Sequence, residues 1–291
     1  MSTSAQVSGL DRLDDDAGPG AERATWLYAI TRNLDQAGLA GLRGTGGAPI
    51  RALHSGTLTA VVESVDPGAF SAEKPQDRFA DPAELEAVAR RHHDVVAAVA
   101  ALGPALPLRL ATVYLTDDGV RRLLSQRGDE FCQTLGWLAH RTECGIKAWA
   151  DPDTLRRDHG TPELSARGPD GPPGGAKLSD PVDQSGTAYL TRRRSELAAR
   201  AEGQHLAARC GDEIHAALRP LAVASHLHPL HDTHAAADVG LEVLNAAYLV
   251  ESASLPEFAD SARAVAAQTG ASRVVVTGPW PAYSFADGPN A

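Results

Sequence analysis

The 291-residue chain has little cysteine, little methionine and few aromatic residues. It contains 3 Cys and 1 Met, and 5% of its residues are aromatic. The cysteines, Cys132, Cys144 and Cys210, are widely spaced and include no C-x-x-C pair. This pattern indicates neither a disulfide framework nor a cysteine-based zinc site, and it favours a reducing cytoplasm.

The chain also lacks an excess of basic residues and any long apolar run. It has 37 acidic and 27 basic side chains, which gives a net charge of −10. This charge opposes non-specific attraction to nucleic acid and to anionic membrane surfaces. No apolar run is long enough to span a bilayer, and the first 22 residues have no signal-peptide pattern. We therefore expect neither nucleic acid nor membrane as a partner, and we expect the run Arg192, Arg193 and Arg194 to be a solvated helix face.

The remaining composition is typical of a folded protein with two domains. Apolar residues make up 43% of the chain and charged residues 22%, which is ordinary for globular proteins of this length. Residues 160–181 contain five prolines and five glycines. This segment therefore has too little apolar area to offset the entropy of ordering. We predict a disordered acidic tail at 1–22, an N-terminal domain at 23–159, a flexible linker at 160–182, a C-terminal domain at 183–287 and a tail at 288–291.

The N-terminal domain shows strand and helix patterns in turn. Alternating apolar residues predict a strand at 24–30, and the segments 49–53 and 57–63 around Gly56 predict a β-hairpin. Asp81 followed by Pro82 predicts the start of a helix. Its expected buried stripe consists of Leu85, Val88, His92, Val95, Val99 and Leu102. We further expect an extended segment at 106–114, a helix from about 117 and a closing strand at 144–150.

The C-terminal domain opens with a predicted long helix at 185–218. Helical spacing predicts its buried face, which consists of Leu190, Leu197, Ala201 and Ala208. Strands are expected at 221–225 and 241–250, and Ser254 with Glu257 predicts a capping box at the start of another helix. A last strand is expected at 273–277. Pro279 and Pro281 cannot donate to a strand ladder, so the chain is expected to leave the sheet after Thr277.

Hairpin-like strands and amphipathic helices occur together in both blocks. This combination predicts the α+β class, with helices covering one face of a mostly antiparallel sheet. We expect each domain to be a ferredoxin-like or related sheet, and the two to be joined by the Pro/Gly-rich linker.

One histidine cluster offers candidate metal ligands. His226, His228, His231 and His234 fall within nine residues, and neutral imidazoles coordinate zinc, copper or nickel. Pro229 interrupts any regular helix, and the spacing is not H-E-x-x-H, so a polar surface loop is the preferred interpretation. A metal-binding protein or metalloenzyme remains the alternative. Because neither a P-loop nor a G-x-S-x-G motif is present, we expect no cofactor, no catalytic residue and no enzymatic activity.

The C-terminal nonapeptide carries a family resemblance. Residues 277–285, T-G-P-W-P-A-Y-S-F, closely resemble the T-G-P-W-P-P-Y-S-F signature that ends proteins of the gas vesicle F/L family. Three upstream segments support the resemblance: 106–109, which ends in Arg109, 185–190 around Tyr189 and 245–250 around Tyr248. Two departures stand out, Ala282 in place of proline and Leu110-Ala111 in place of Phe-Gly.

The resemblance implies a cytoplasmic accessory or minor structural protein that associates with gas vesicles. Its expected partners are the main shell protein and other gas vesicle accessory proteins, with the roles of chaperone, nucleator and wall component all open. By covering an apolar face or an open strand edge of the shell protein, the accessory protein would restrain premature aggregation of that subunit. The motif residues that are candidates for partner contact are Arg109, Tyr189, Tyr248, Gly278, Pro279, Trp280, Pro281, Tyr283 and Phe285.

One question about this motif and one functional alternative stay open from the sequence alone. Its aromatic residues either fold back to seal the second domain, which is the preferred interpretation, or form a partner-binding patch. A small-ligand sensor is a third functional class, and it rests on analogy with other ferredoxin-like sheets.

Overall fold

The structure is a computed structural model that describes residues 23–67, 81–159, 183–231 and 240–289. The chain divides into two compact units, 1–136 and 137–291. In the described ranges, each unit contains one antiparallel sheet with helices, so the expected α+β class is confirmed. The expected acidic tail 1–22 and linker 160–182 lie outside these ranges. None of the helices in the described part is both long and apolar enough to cross a membrane.

The first unit is a sheet with strand order β2-β3-β1-β4, in which a short fifth strand also pairs with β1. The strands are β1 (Ala24–Arg32), β2 (Ile50–Ser55), β3 (Leu58–Val65), β4 (Ala105–Pro107) and β5 (Val113–Tyr114). Its helices are α1 (Pro82–Ala100), α2 (Asp117–Gln126) and α3 (Gly128–Leu138), the last of which crosses the boundary between the units.

Several predicted features of this unit are confirmed. β2 and β3 form an antiparallel hairpin, and Gly56 in its turn has a φ of 59°. The Asp81 carboxylate accepts a hydrogen bond from the Ala83 N–H at 2.9 Å and caps α1, which satisfies one of the amides left without an intrahelical partner.

Other expectations for this unit are wrong. Leu85 and Leu102, expected in the buried stripe of α1, are 36% and 56% exposed, because Leu85 lies in the first turn of the helix and Leu102 follows its end at Ala100. The extended segment expected at 106–114 is two short strands, β4 and β5, and the single helix expected from 117 is two helices, α2 and α3.

A buried histidine connects α1 to the sheet. His92 is 3% exposed, and its Nδ1 accepts a hydrogen bond from the Trp26 indole N–H at 3.1 Å. Its Nε2 then carries the proton and donates to the Leu108 carbonyl, also at 3.1 Å. Burial lowers the pKa of His92 to about 4, although the Leu108 carbonyl favours the charged form. A proton on Nδ1 would face the indole N–H, so this site accepts the neutral ring only.

This arrangement predicts a loss of stability in acid. Because the folded-state pKa of His92 lies below the unfolded value, the unfolded chain binds more protons between these two pH values, so stability falls as pH drops from about 6.5 to 4. The expected loss in the free energy of unfolding from this group at pH 4 is about 3 kcal/mol. His92→Gln keeps an acceptor and a donor but cannot titrate. Denaturant unfolding from pH 7 to pH 4 should therefore show a smaller stability loss for the variant, and equal losses would contradict this account.

The second unit has the strand order β7-β8-β6-β9. The strands are β6 (Arg141–Ala150), β7 (Ala224–Leu227), β8 (Leu241–Glu251) and β9 (Arg273–Trp280). The helices are α4 (Pro152–His159), α5 (Asp183–Leu218) and α6 (Leu255–Gln268). Helices α5 and α6 cover one face of the sheet, and Ile214 and Phe258 pack there with Ile146 and Tyr248 of the strands.

The expected domain boundary is corrected by the pairing of β6. This strand, expected to close the N-terminal domain, pairs along its whole length with β8 and along most of it with β9. It therefore begins the second unit, and the boundary lies between Gly136 and Trp137 rather than at 160–182. Period-two alternation identifies a strand but carries no information about its partner.

The predicted buried face of α5 is also wrong. Leu190 and Leu197 are 57% and 53% exposed, and Ala201 and Ala208 are exposed as well. The buried stripe consists instead of Gly203, Ala207, Cys210, Gly211, Ile214 and Leu218. Two apolar stripes run along this helix, and the sequence pattern alone does not show which one faces the sheet.

The start of α6 differs in detail from the prediction. Ser254 precedes the helix as expected, but its side chain makes no capping hydrogen bond. Gly270 follows the helix with a φ of 80°, as expected for a residue that terminates a helix in the left-handed conformation.

Candidate partner-binding site

Strand β9 lies at the end of the second sheet. It pairs with β6 on one side, and no strand in the described ranges pairs with its other side. The expectation that the chain leaves the sheet after Thr277 is wrong, because β9 continues to Trp280, which pairs with Glu143. A register shift between Glu143 and Gly145 accommodates Pro279, and an edge strand tolerates a residue without an N–H.

The side chains of β9 are apolar on the face toward the helices and mixed on the opposite face, which carries Arg273, Val275 and Thr277. Val274 and Val276 pack against the core formed with α5 and α6. Because side chains alternate along a strand, Val275 points to the opposite face. Trp280 at the end of the strand is 41% exposed. We call the strand 273–280, with its open side, the β9 edge.

Gly278 allows the close approach of the β9 edge to β6. Its φ is 117°, a region that other residues rarely adopt. A Cβ at this position would lie 2.8 Å from the Glu143 carbonyl oxygen. Glycine is therefore required at this point of the motif.

The residues after β9 are anchored to the sheet by one buried carboxylate. Glu143 is 8% exposed, and it accepts hydrogen bonds from the Ser284 N–H at 2.8 Å and from the Ser284 hydroxyl at 2.9 Å. Burial raises the pKa of Glu143 above its usual range, although both Ser284 contacts favour the charged form. The hydroxyl and the amide together hold residues 283–285 against β6.

The aromatic residues of the motif divide into buried and exposed groups. Phe285 is 6% exposed, packs with Leu138 and Ala282, and meets the Trp137 ring edge-on at a centroid distance of 6.2 Å. Tyr283 is partly buried. Phe285 therefore folds back onto the second unit, whereas Trp280 remains accessible.

Two histidines lie close to the Glu143–Ser284 contact. The rings of His226 and His228 are 4.9 Å apart, and His228 Nε2 lies 3.4 Å from the Ser284 hydroxyl oxygen. Burial, His226 and Lys147 lower the pKa of His228. The Ser284 hydroxyl donates to Glu143 Oε1 at 2.9 Å, and this contact is shorter than the one to His228 Nε2. In a catalytic triad the carboxylate orients the histidine, and here it binds the serine.

His231 is engaged by a different carboxylate. Glu242 accepts from the His231 N–H at 2.7 Å and lies 3.0 Å from its ring Nδ1, while Lys147 Nζ is 3.7 Å away. Burial alone would raise the pKa of Glu242, but these neighbours lower it. Within the described part of the chain, no group of three His, Cys, Asp or Glu side chains is placed to hold a metal ion. His234 lies outside that part.

The upstream motif residues have different surroundings. Tyr248 is fully buried, and its hydroxyl lies 2.8 Å from His215 Nδ1, so its candidacy for partner contact is corrected to a core role. Tyr189, on α5, is 68% exposed. Arg109 is exposed in the first unit, in the loop between β4 and β5.

The loop after Arg109 contains an alanine in a conformation that favours glycine. Ala111 has a φ of 62°, and it occupies the position at which the family resemblance leads us to expect glycine. Ala111→Gly should stabilise the chain by about 1 kcal/mol, because it removes the steric cost of the left-handed conformation. Thermal or denaturant unfolding of the variant and of the original chain measures this difference in stability. A destabilised variant would show that the loop does not hold this conformation.

No local pattern identified Glu143, His228 or His226 as neighbours of the motif. Glu143 lies 141 positions before Ser284 and His228 lies 56 positions before it. Strand pairing brings these residues together, and the only local hint was the crowding of histidines around Pro229.

Comparison with known proteins gives consistent matches over most of the chain. The family model described as "Gas vesicle synthesis protein GvpL/GvpF" matches residues 24–287. The protein called gas vesicle protein L from Streptomyces sp. (strain CB03234) is 36% identical over 266 residues, which cover 91% of this chain and 93% of the relative.

Two crystal structures share the fold. GvpF from Anabaena sp. PCC7120 superposes with a TM-score of 0.59 at 17% identity, over 91% of this chain and 96% of that protein. GvpF from Microcystis aeruginosa gives a TM-score of 0.58 at 18% identity, over 90% and 98% of the two chains.

Proposed function

This chain belongs to the GvpL/GvpF family of gas vesicle synthesis proteins, and on that premise we propose that it acts as an accessory or minor structural protein of gas vesicle assembly. It binds the main shell protein and restrains premature aggregation of that subunit. The protein works in the cytoplasm and on the vesicle, with other gas vesicle accessory proteins as further partners.

The β9 edge is the observation that supports this proposal most directly. Proteins normally protect an exposed sheet edge with charged side chains, a bulge or a covering element, because unpaired backbone groups bind other strands. Residues 273–280 have one charged side chain, Arg273, and only Pro279 and the adjacent register shift limit pairing at the far end. An extended apolar segment of the partner can add here as a further strand.

Such binding would restrain aggregation by occupying the partner's own edge. A subunit that assembles through strand pairing presents unpaired N–H and C=O groups before it is incorporated. Pairing with β9 satisfies one side of that strand, while Val275 and Trp280 cover adjacent apolar side chains.

We interpret both units as ferredoxin-like sheets. In each unit, the four main strands, numbered by their order along the chain, lie side by side in the order second, third, first and fourth. Neighbouring strands are antiparallel. A helix precedes the fourth strand in both units, α1 before β4 and α6 before β9. The helix that precedes the second strand is long in the second unit and reduced to the 3-10 turn Gln36–Leu39 in the first.

The proposed role needs no catalysis. The hydroxyl of Ser284 is held by Glu143 rather than activated by His228, and this geometry favours a structural use of all three groups. A binding role also agrees with the accessible Trp280, since aromatic side chains are enriched at the centres of protein interfaces.

Co-purification with the main shell protein tests the proposal. Full-length chain carrying an affinity tag should retain shell protein, and deletion of its gene should impair vesicle formation. Absence of binding together with normal vesicles in the deletion strain would overturn the proposal.

A further inference from the structure

The first half of α5 projects an unpartnered face. Every described residue from 189 to 198 is exposed, with Tyr189, Leu190 and Leu197 at 68%, 57% and 53%. The sheet-facing stripe of the helix begins only at Gly203. This first half therefore contributes little to the core of the second unit, although it carries large apolar side chains.

The exposed side chains follow a coiled-coil spacing. Steps of four and three residues separate the members of one stripe, and all of them are exposed: Leu190, Arg194, Leu197, Ala201, Gln204 and Ala208. At 100° per residue this stripe lies about 120° around the helix from the buried stripe. Alternating four and three spacing is the pattern with which one helix packs against another. We call these six positions the α5 seam.

The charge of this segment differs from that of the whole chain. Residues 189–200 contain four arginines and one glutamate, a net charge of +3, whereas the chain carries −10. Glu196 lies near Arg192 and Arg193, at 3.2 and 3.6 Å. Arg194 in the seam and Arg200 beside it have no acidic partner among the residues that the structure describes.

We infer that the α5 seam docks an acidic amphipathic helix of another protein. Leucines at the seam supply apolar contact, and Arg193, Arg194 and Arg200 select acidic residues at the flanking positions of the partner. The surface is separate from the β9 edge, so docking here does not depend on strand addition there.

The same observations disfavour three other occupants. A second copy of this chain would bring two net-positive segments together. A membrane-surface helix has a wide apolar face, whereas Leu190 and Leu197 with Tyr189 form a narrow one. A nucleic acid strand would contact the arginines and leave the leucines exposed.

Designed peptides test this inference on the full-length chain. The probe is a synthetic three-heptad helix with leucine at its seam positions and glutamate at its flanking positions, and the control peptide carries lysine at those flanks. Fluorescence anisotropy should give a Kd for the glutamate peptide at least about tenfold lower than for the lysine peptide.

Two sets of variants separate charge from apolar contact. Arg193→Glu with Arg194→Glu and Arg200→Glu should reverse the preference, so that the lysine peptide binds more tightly. Leu190→Asp with Leu197→Asp should abolish binding of both peptides. Leu227→Asp is the matched control, because Leu227 is an exposed leucine at 57% on β7, and it should leave both affinities unchanged.

Equal affinity for the two peptides, or a preference that survives the arginine substitutions, would overturn the inference. Tighter binding to phosphatidylglycerol vesicles or to a single-stranded oligonucleotide than to the glutamate peptide would also overturn it. Because the reversed preference is a gain of binding, a variant that merely failed to fold cannot reproduce it.

Discussion

Replacing Gly211 with alanine is expected to destabilise the second unit by about 3 kcal/mol or more, since a backbone carbonyl occupies the space that a Cβ needs. A Cβ at Gly211 would lie 2.0 Å from the Val243 carbonyl oxygen. This oxygen belongs to β8 at the register shift between Glu242 and Leu244 in its pairing with β6, so a Cβ at Gly211 would force α5 or this part of the strand to move. The variant would also separate α5 from the sheet.

Two other helical glycines provide matched controls. A Cβ at Gly203 would lie 3.0 Å from Pro152, at the contact of α4 with α5, so Gly203→Ala should be destabilising to a smaller extent. Gly136 is exposed and has no atom within 4 Å of a Cβ position. Gly136→Ala should stabilise the chain by about 0.5 to 1 kcal/mol through helix propensity. Denaturant unfolding of the three variants should give this order, and a stable Gly211→Ala protein would contradict the packing described for α5.

The β9 edge gives the second large expected effect, which is on binding. Val275→Glu combined with Trp280→Ser should weaken binding to the main shell protein by at least about tenfold, because charge on an edge strand opposes strand addition and Trp280 provides accessible apolar area. Glu at 275 would face Lys147 across the β6–β9 ladder, so the substitution introduces no like-charge pair within the sheet.

The control for this variant is an exposed leucine on the opposite edge of the same sheet. Leu227→Ser on β7 removes similar apolar area away from the β9 edge, and it should leave binding unchanged. Isothermal titration calorimetry or fluorescence anisotropy with labelled shell protein measures the affinity of both variants. Equal weakening by the two variants would place the contact outside the β9 edge, and undiminished binding by the double variant would do the same.

Local signals in the sequence predicted the elements well where one physical rule dominated. Asp81 with Pro82 defines the start of α1, and Gly56 defines the reversal of the first hairpin. The nine-residue motif predicted the family, which the matches over residues 24–287 confirm. In each case the information lies within a few adjacent residues.

Predictions that depended on distant contacts were less accurate. The alternation in β6 showed that it is a strand, but its pairing with β8 and β9 depends on residues about a hundred positions later. The prediction of the buried face of α5 was wrong because the exposed seam containing Leu190 and Leu197 has the better apolar spacing. The stripe that packs in the core consists largely of small residues such as Gly203 and Gly211.

The candidate site shows the same limit. Trp280 and Phe285 were both identified from the motif, but only the fold shows that Phe285 is buried while Trp280 is accessible. Tyr248 was a candidate for partner contact because it lies in a segment that resembles the family, yet it lies in the core with its hydroxyl near His215. Nothing in the sequence connected Glu143 with Ser284.

Hydrogen exchange of the full chain with and without the main shell protein tests the central claim most directly. We predict that amides in peptides covering residues 273–280 exchange about tenfold more slowly in the complex, because a paired partner strand protects an edge with which no strand of the described ranges pairs. Unchanged exchange in those peptides, with protection confined to other parts of the molecule, would contradict strand addition at the β9 edge.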